Sequence, residues 1–291
     1  MLPVIATTGA ELASVRPDIR GDTLVLVPTM GALHAGHRSL IRVARELGDS
    51  VAVSIFVNSL QFGPNEDLDR YPRTFPDDIE VCAEEGVDLI FAPPREVMYP
   101  QDPEVRVRSG RMGAIVEGAA RPGHFDGVLT VVLKLFNLVR PDIAVFGEKD
   151  AQQLALIRRM VADLNVPVRI AGAPTVREPD GLALSSRNRY LSPGERRTAL
   201  ALSLALHAGR GLSGAPAAEI LRTAQSVLDE AAKADPPLHL DYLVLVDQAT
   251  FTEVTSSYSG PAILAVAGKV GATHLIDNMP VTVHGDGPFA D

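Results

Sequence analysis

Five short apolar runs, Leu24–Val27, Val51–Val57, Val87–Phe91, Ile143–Phe146 and Val166–Ala171, alternate with stretches whose apolar residues recur at helical spacing. No other property of the chain limits its fold as much. A run that is apolar at successive positions belongs to a strand covered on both faces, and strands of that kind build parallel sheets. Helical patterns over His37–Leu47, Asp77–Glu85, Gly127–Val139 and Lys149–Leu164 supply the covering layers, and in the last of these Leu154, Ile157, Val161 and Leu164 share one face. The expected fold is α/β with a parallel sheet.

Beyond Leu184-Ser-Ser-Arg-Asn-Arg-Tyr the pattern changes. Ser192-Pro193 has the composition of a helix start, with serine at the cap and proline at the first helical position. An Ala/Leu-rich helix follows, then a break over Gly209–Pro216, a helix to about Lys233, and strands near His239–Val246, Ala262–Ala267 and Thr273–Ile276. A small α+β unit is expected there. From Val283 onward periodicity is lost, which predicts a loose tail.

The chemistry collects where strands end. The first run breaks at Pro28 into Thr29-Met-Gly-Ala-Leu-His34-Ala-Gly36-His37, after which Leu40, Ile41, Ala44 and Leu47 open a helix. A helix entrance offers free N–H groups and a positive dipole end to an anion, and a glycine admits phosphate close to the backbone. Two imidazoles would flank that anion. On these four residues alone, a turn in which His37 caps the helix and His34 is an ordinary loop residue serves equally well. The second strand runs into Asn58 and Gln61, amides at the carboxyl edge where open α/β sheets gather ligands. Satisfying turn backbone is the simpler use of both.

Gly63-Pro-Asn-Glu-Asp67 leads to Tyr71-Pro-Arg and the adjacent pair Asp77-Asp78. Paired carboxylates suit Mg²⁺, which takes one or two of them with phosphate oxygens and water, but acidic residues after Pro76 are also ordinary helix-start chemistry. Gly147-Glu148-Lys149-Asp150 repeats the strand, glycine, helix arrangement, and four-residue spacing lets Lys149 reach phosphate while Gln153 contacts the attached substrate. Ser185-Ser186-Arg187 places hydroxyls and a guanidinium in a loop suited to pyrophosphate. Arg121-Pro-Gly-His124-Phe is a further glycine turn before an apolar helix.

Composition narrows the ligand. A net charge of -9 over 291 residues leaves no general attraction for nucleic acid, so a small molecule is expected. The single cysteine, Cys82, excludes an internal disulfide and a cysteine metal cluster. No apolar run approaches the roughly 20 residues that span a bilayer, and the amino terminus lacks a basic-then-apolar leader; a cytoplasmic protein without membrane contact is expected. Only four lysines occur against 23 arginines, which draws attention to Lys149.

Taken in order, Pro28-Thr-Met-Gly-Ala-Leu-His34-x-Gly-His37, Phe56-Val-Asn58-x-x-Gln61-Phe-Gly-Pro-Asn-Glu-Asp67, Arg121-Pro-Gly-His124-Phe, Phe146-Gly-Glu-Lys149-Asp150-x-Gln-Gln153 and Asp180-Gly-Leu-Ala-x-Ser185-Ser186-Arg187-Asn188 resemble the pantothenate synthetase (pantoate–β-alanine ligase) family of adenylate-forming nucleotidyltransferases. The resemblance covers about residues 24 to 191. It implies a Rossmann-like ATP- and pantoate-binding domain over 1–184, with a small α+β domain over 185–291 closing over the active site. It implies condensation of (R)-pantoate with β-alanine through pantoyl adenylate, releasing pyrophosphate and AMP. It further implies ATP contacts from Met30, Gly31, Ala32, Leu33, His34, Ala35, Gly36 and His37, from Gly147, Glu148, Lys149 and Asp150, and from Val176, Leu184, Ser185, Ser186 and Arg187. His37 is implied as the acid, with His34, Lys149 and Arg187 in the catalytic set. Gln61 and Gln153 would hold pantoate, with Gln61 also near β-alanine and Asn58 beside it; Asp77 or Asp78 would hold Mg²⁺. A homodimer is implied as well.

Two positions depart from the family pattern: Ala35 stands where an acidic residue is common, and Ser59 where proline follows the strand-end asparagine. Losing that proline is expected to loosen the turn that aims Gln61 and to lower pantoate affinity. The nearest alternative is another adenylyl- or cytidylyltransferase, since the His-x-Gly-His turn and Ser-Ser-Arg loop recur across the superfamily. A tRNA synthetase is disfavoured by the acidic balance. A catalytically silent nucleotide sensor is the alternative of a different class.

Overall fold

The computed structural model describes residues 2–16, 21–64, 66 and 68–285. Its elements in chain order are β1 (Val4–Ala6), α1 (Gly9–Val15), β2 (Leu24–Thr29), α2 (Ala35–Leu47), β3 (Ser50–Ile55), α3 (Phe75–Glu84), β4 (Leu89–Phe91), α4 (Arg95–Met98), α5 (Glu117–Ala120), α6 (His124–Val139), β5 (Ile143–Gly147), α7 (Ala151–Asp163), β6 (Arg169–Ala173), α8 (Pro193–Arg210), α9 (Ala217–Ala231), β7 (Leu238–Asp247), β8 (Gly260–Val270) and β9 (Thr273–Val283). The chain divides into two compact units. One contains the residues up to Ala114 with Arg121–Glu148 and Leu156–Pro174; the other contains Ile115–Ala120, Lys149–Ala155 and the chain from Thr175.

The first unit is built on a parallel sheet with strand order β1-β4-β3-β2-β5-β6. Val25, Val27, Val51, Val53, Ile143 and Val145 face Ile41 and Ala44 of α2 and Cys82 of α3 in one buried cluster. Phe146 points to the opposite face and meets Phe136 of α6 edge-on at 6.4 Å. Both faces are therefore covered, as the unbroken apolar runs predict. Successive crossovers after β2 go first to β3 on one side and later to β5 on the other, so the order reverses between β2 and β5. That switch point is where open sheets of this kind bind ligands.

Three local expectations are corrected and one strand is added. Pro28 lies inside β2 rather than ending it. Thr29 accepts from Phe56 N–H and Leu24 accepts from Asp142 N–H, so residue 28 faces the β5 side, where pairing has already stopped at Leu26 and no donor is needed. The last strand starts at Arg169 rather than Val166, because Asn165 turns at φ 49° and the Val166 N–H still bonds back to Val161. Lys149 sits in a 3₁₀ turn over Glu148–Asp150 and not on the helix with Gln153; its carbonyl accepts from the Asn278 side chain. The three-residue edge strand β1 is too short to show as a pattern.

In the second unit α8 and α9 pack on the antiparallel sheet β7-β8-β9. Leu202, Leu206, Ile220 and Leu228 meet Leu245, Leu264, Val266 and Met279 in its core. Ser192 caps α8 as expected: its hydroxyl accepts from Glu195 N–H and the Glu195 carboxylate accepts from Ser192 N–H. β9 continues through Pro280 to a buried Val283, since it is a sheet edge on which proline is tolerated. Of the expected tail, residues 286–291 lie outside the described residues, as do Asn65 and Asp67.

Candidate functional site

In the first unit the residues between β2 and α2 form a loop that the protein holds in an unfavourable conformation. Gly31 and Ala32 both have positive φ, 82° and 51°. Asp78, buried in the first turn of α3, accepts from Ala32 N–H at 3.1 Å and from Leu33 N–H at 2.8 Å, with the Thr74 hydroxyl at 3.3 Å. The same carboxylate explains the glycine: a Cβ on residue 31 would stand 2.9 Å from Asp78 Oδ2 and 3.1 Å from Ile55. Gly31 N–H is taken by Thr29 Oγ1 at 3.2 Å. Of the adjacent pair, Asp77 is the exposed one.

The two histidines close the helix entrance reciprocally. His34, not His37, is the cap residue: its Nδ1 accepts from Gly36 N–H at 3.1 Å, while His37 Nδ1 accepts from His34 N–H at 3.3 Å. The rings lie 4.1 Å apart, tilted by 42°. Because both Nδ1 atoms accept backbone hydrogens, this bonding pattern assigns the proton of each neutral ring to Nε2. Burial, helped by the neighbouring His34, pushes His37 down to about 3. It is thus a neutral hydrogen-bond donor near pH 7.

Gln61 ends a 3₁₀ turn over Ser59–Gln61 that leans on α6 at Gly127. Asn58 is buried and its amide is fully used: Nδ2 donates to Gln61 Oε1 at 3.0 Å and to Gly127 O at 3.1 Å, while Oδ1 accepts from Tyr99 OH at 2.9 Å and Leu60 N–H at 3.4 Å. Burial pushes Tyr99 up to about 12, so it stays a donor. Gln61 Nε2 reaches Met30 Sδ at 3.3 Å, which brings the Gln61 turn to the histidine loop. The Gln61 carbonyl lies 2.7 Å from His124 Nδ1, and Arg121 grips Glu66 through two contacts while meeting His124 Nε2 at 3.1 Å. Burial would raise the Glu66 carboxyl, but the guanidinium outweighs it and holds the group below the usual range. The Arg121–His124 turn is thus a strap for Gln61.

Gly147 ends β5 in this unit, half-buried, with Glu148 exposed after it. The second unit collects the remaining candidates. Lys149 and Gln153 are half-buried and Asp150 exposed. The start of α7 is pinned by Gln152, whose Oε1 accepts from Glu117 N–H at 3.1 Å and whose Nε2 donates to Ile115 O at 2.8 Å. Tyr242 OH donates to Glu117 at 3.3 Å; burial first, then the Glu117 charge, raises that phenol far above its ordinary value. Val176 and Leu184 are brought together by a turn in which Leu184 N–H donates to Val176 O at 2.9 Å. Ser185 Oγ caps the next turn through Arg187 N–H at 3.3 Å, and Asn188 braces it by donating to Glu178 and Ala183 O. Ser186 and Arg187 are half-buried there.

Sequence patterns missed Asp78 as a backbone anchor, Tyr99 and Gly127 behind Gln61, and Asp277 and Asn278 on β9. Only Asp78 had a signal, and it read as helix-start chemistry. Among the described residues no three His, Cys, Asp or Glu side chains form a metal cluster, and no helix is long and apolar enough to cross a membrane.

The chain is similar to known proteins over nearly its whole length. The profile of the pantoate-beta-alanine ligase family matches residues 4–280. A pantothenate synthetase of Thermobifida fusca is 61% identical over 287 residues, covering 97% of this chain and 96% of that protein. The crystal structure of pantothenate synthetase from Thermus thermophilus superposes with a TM-score of 0.86 at 47% identity, covering 95% of this chain and 98% of that one. That of pantoate-beta-alanine ligase from Francisella tularensis, complexed with beta-gamma ATP and beta-alanine, gives 0.76 at 34% identity, covering 95% and 97%.

Proposed function

Because the chain belongs to the pantoate–β-alanine ligase family, we propose that it uses ATP to condense (R)-pantoate with β-alanine into pantothenate. The observation that carries this reading is the reciprocal His34–His37 entrance at the sheet's switch point, with Gln61 tied to it through Met30. In the first step a pantoate carboxylate oxygen bonds to the α-phosphorus of ATP as the α–β bridging bond breaks, giving pantoyl adenylate and pyrophosphate. The carboxylate is ionised at pH 7, so this step needs alignment and charge neutralisation rather than a base.

Residues Met30 to His37 would surround the nucleotide phosphates. His37 acts there as a neutral Nε2–H donor and not as a cation, in keeping with its depressed pKa. Lys149 and Arg187 supply the positive charge, with Gly147, Glu148, Asp150, Val176, Leu184, Ser185 and Ser186 completing the nucleotide contacts. Gln61 and Gln153 hold pantoate. Asn58, whose amide is already committed, serves by fixing Gln61. In the second step the β-alanine ammonium first gives up a proton to solvent or a side chain, the freed amine lone pair bonds to the acyl carbon as the acyl–oxygen bond to AMP breaks, and the nitrogen sheds a second proton to give the amide.

Mg²⁺ fits the acidic pair in one respect: Asp77 is exposed beside a carboxylate already turned to the phosphate loop, and one such oxygen donor with phosphates and water suffices. It would neutralise phosphate charge. The family resemblance supports a cytoplasmic homodimer. The test is pyrophosphate exchange into ATP with Mg²⁺. Exchange that depends on pantoate, followed by AMP and pantothenate on adding β-alanine, supports the reading. Exchange only with another acid overturns the substrate, and silence with every acid favours a nucleotide sensor.

A further inference from the structure

Asp277 and Asn278 sit in the middle of β9, outside every motif that suggested nucleotide chemistry, and both are buried. Their side chains do two different things. Asn278 Nδ2 donates to the carbonyl of Lys149 at 2.7 Å. Asp277 takes Arg177 in a two-point ion pair, Nη1 to Oδ2 at 2.7 Å and Nη2 to Oδ1 at 3.0 Å, and its Oδ1 also accepts from Asn278 N–H at 2.8 Å. Arg177 continues to Gly181 O at 3.1 Å and Ser203 Oγ at 3.2 Å. Its own backbone lies in the bridge with Ala183 that brings Val176 and Leu184 together.

We propose that the Asp277–Asn278 pair is a positioning device for the nucleotide, fixing the Lys149 turn and the Val176–Leu184 turn to one strand. The inference rests on the assignment of Lys149 and Val176 to ATP. A buried polar pair in an edge strand is expensive unless it is bonded. Here one member is spent on the backbone of the single lysine among the site candidates, and the other on the arginine next to Val176. A 3₁₀ turn of three residues has few internal bonds, so an outside donor on the Lys149 carbonyl sets where the ammonium-bearing side chain starts.

The experiment is a double-mutant cycle on Asn278→Ala and Lys149→Ala, reading Kd for β,γ-methylene ATP by calorimetry together with KM and kcat of pantoate-dependent exchange. Asn278→Ala alone is expected to weaken the nucleotide about tenfold, to move KM for pantoate less than twofold, and to lower the thermal midpoint while the protein stays folded at the assay temperature. With Lys149→Ala already present it adds no further loss. Undiminished ATP affinity in folded Asn278→Ala overturns the proposal, and so does a loss that adds fully to that of Lys149→Ala, which a merely structural role would give. If Lys149→Ala itself binds ATP normally, the assignment of Lys149 falls and the positioning role with it. Should Asn278→Ala fail to fold, Asn278→Leu, close in volume but without a donor for the Lys149 carbonyl, carries the same comparison.

Discussion

Asp78 shows how much one side chain decides at this site. Its carboxylate holds two successive N–H groups of a loop in which a non-glycine residue, Ala32, has a positive φ that costs of order 1 kcal/mol or more. Hydrogen bonds to a charged group contribute about 1.5–3 kcal/mol each. Asp78→Ala should therefore lower stability by about 3 kcal/mol and raise KM for ATP at least tenfold, read by denaturant unfolding and by exchange kinetics; an unshifted KM would show that the loop needs no anchor. This role was hidden in the sequence. Asp77 and Asp78 follow Pro76 in a helix start, and nothing in their spacing says that one turns outward and the other inward. The histidines were legible as a pair but not in their division of labour, since only the backbone geometry makes His34 the cap.

At the scale of elements, the turn over Ser59–Gln61 lies against α6 with no room between them. A Cβ on Gly127 would stand 2.2 Å from Leu60 O and 2.7 Å from Gln61 N, so Gly127→Ala must displace backbone. We expect it to cost about 1–3 kcal/mol and to raise KM for pantoate tenfold or more with a smaller change for ATP. Equal effects on the two substrates would sink that assignment. For Ser59 the contacts of the turn argue for a smaller effect than the sequence expectation. The turn is held by four bonds of the Asn58 amide, by the Gly127 contact and by Phe62 N–H donating to the Ser59 carbonyl, which a proline would keep, and Asn58 at φ -84°, ψ 105° already suits a following proline. Ser59→Pro should stabilise by about 0.4–1 kcal/mol and leave pantoate KM within twofold. A marked fall in KM would restore the idea of a loosened turn. Gly127 was unreadable as a spacer, because in the sequence it looks like the first residue of an apolar helix.

For the molecule as a whole, the apolar runs were enough to identify the parallel sheet, and helix-start chemistry was enough to place α8. What they could not give is the return of residues 115–120 and 149–155 to the second unit, or the continuation of β9, because buried Asp277 and Asn278 interrupt the apolar pattern that marks a strand. Buried polar groups read as surface until their partners are known, and the same is true of His37 in the energetics. Its folded pKa of about 3 lies below the 6.5 of an unfolded imidazole, so between these values the unfolded chain binds a proton that the folded one refuses. Stability is unaffected above pH 6.5 and is lost as pH falls toward 3, with a limiting slope of about 1.4 kcal/mol per pH unit. The ring is half-buried, so solvent screening reduces the fall between pH 7 and pH 5 to about 1 kcal/mol. Urea unfolding of the wild type and His37→Gln at those two pH values should differ by that amount, with the variant losing less. Parallel losses in both proteins would mean that His37 takes up its proton in the fold, and with it that the proposed nucleotide loop presents a cation instead of a neutral donor.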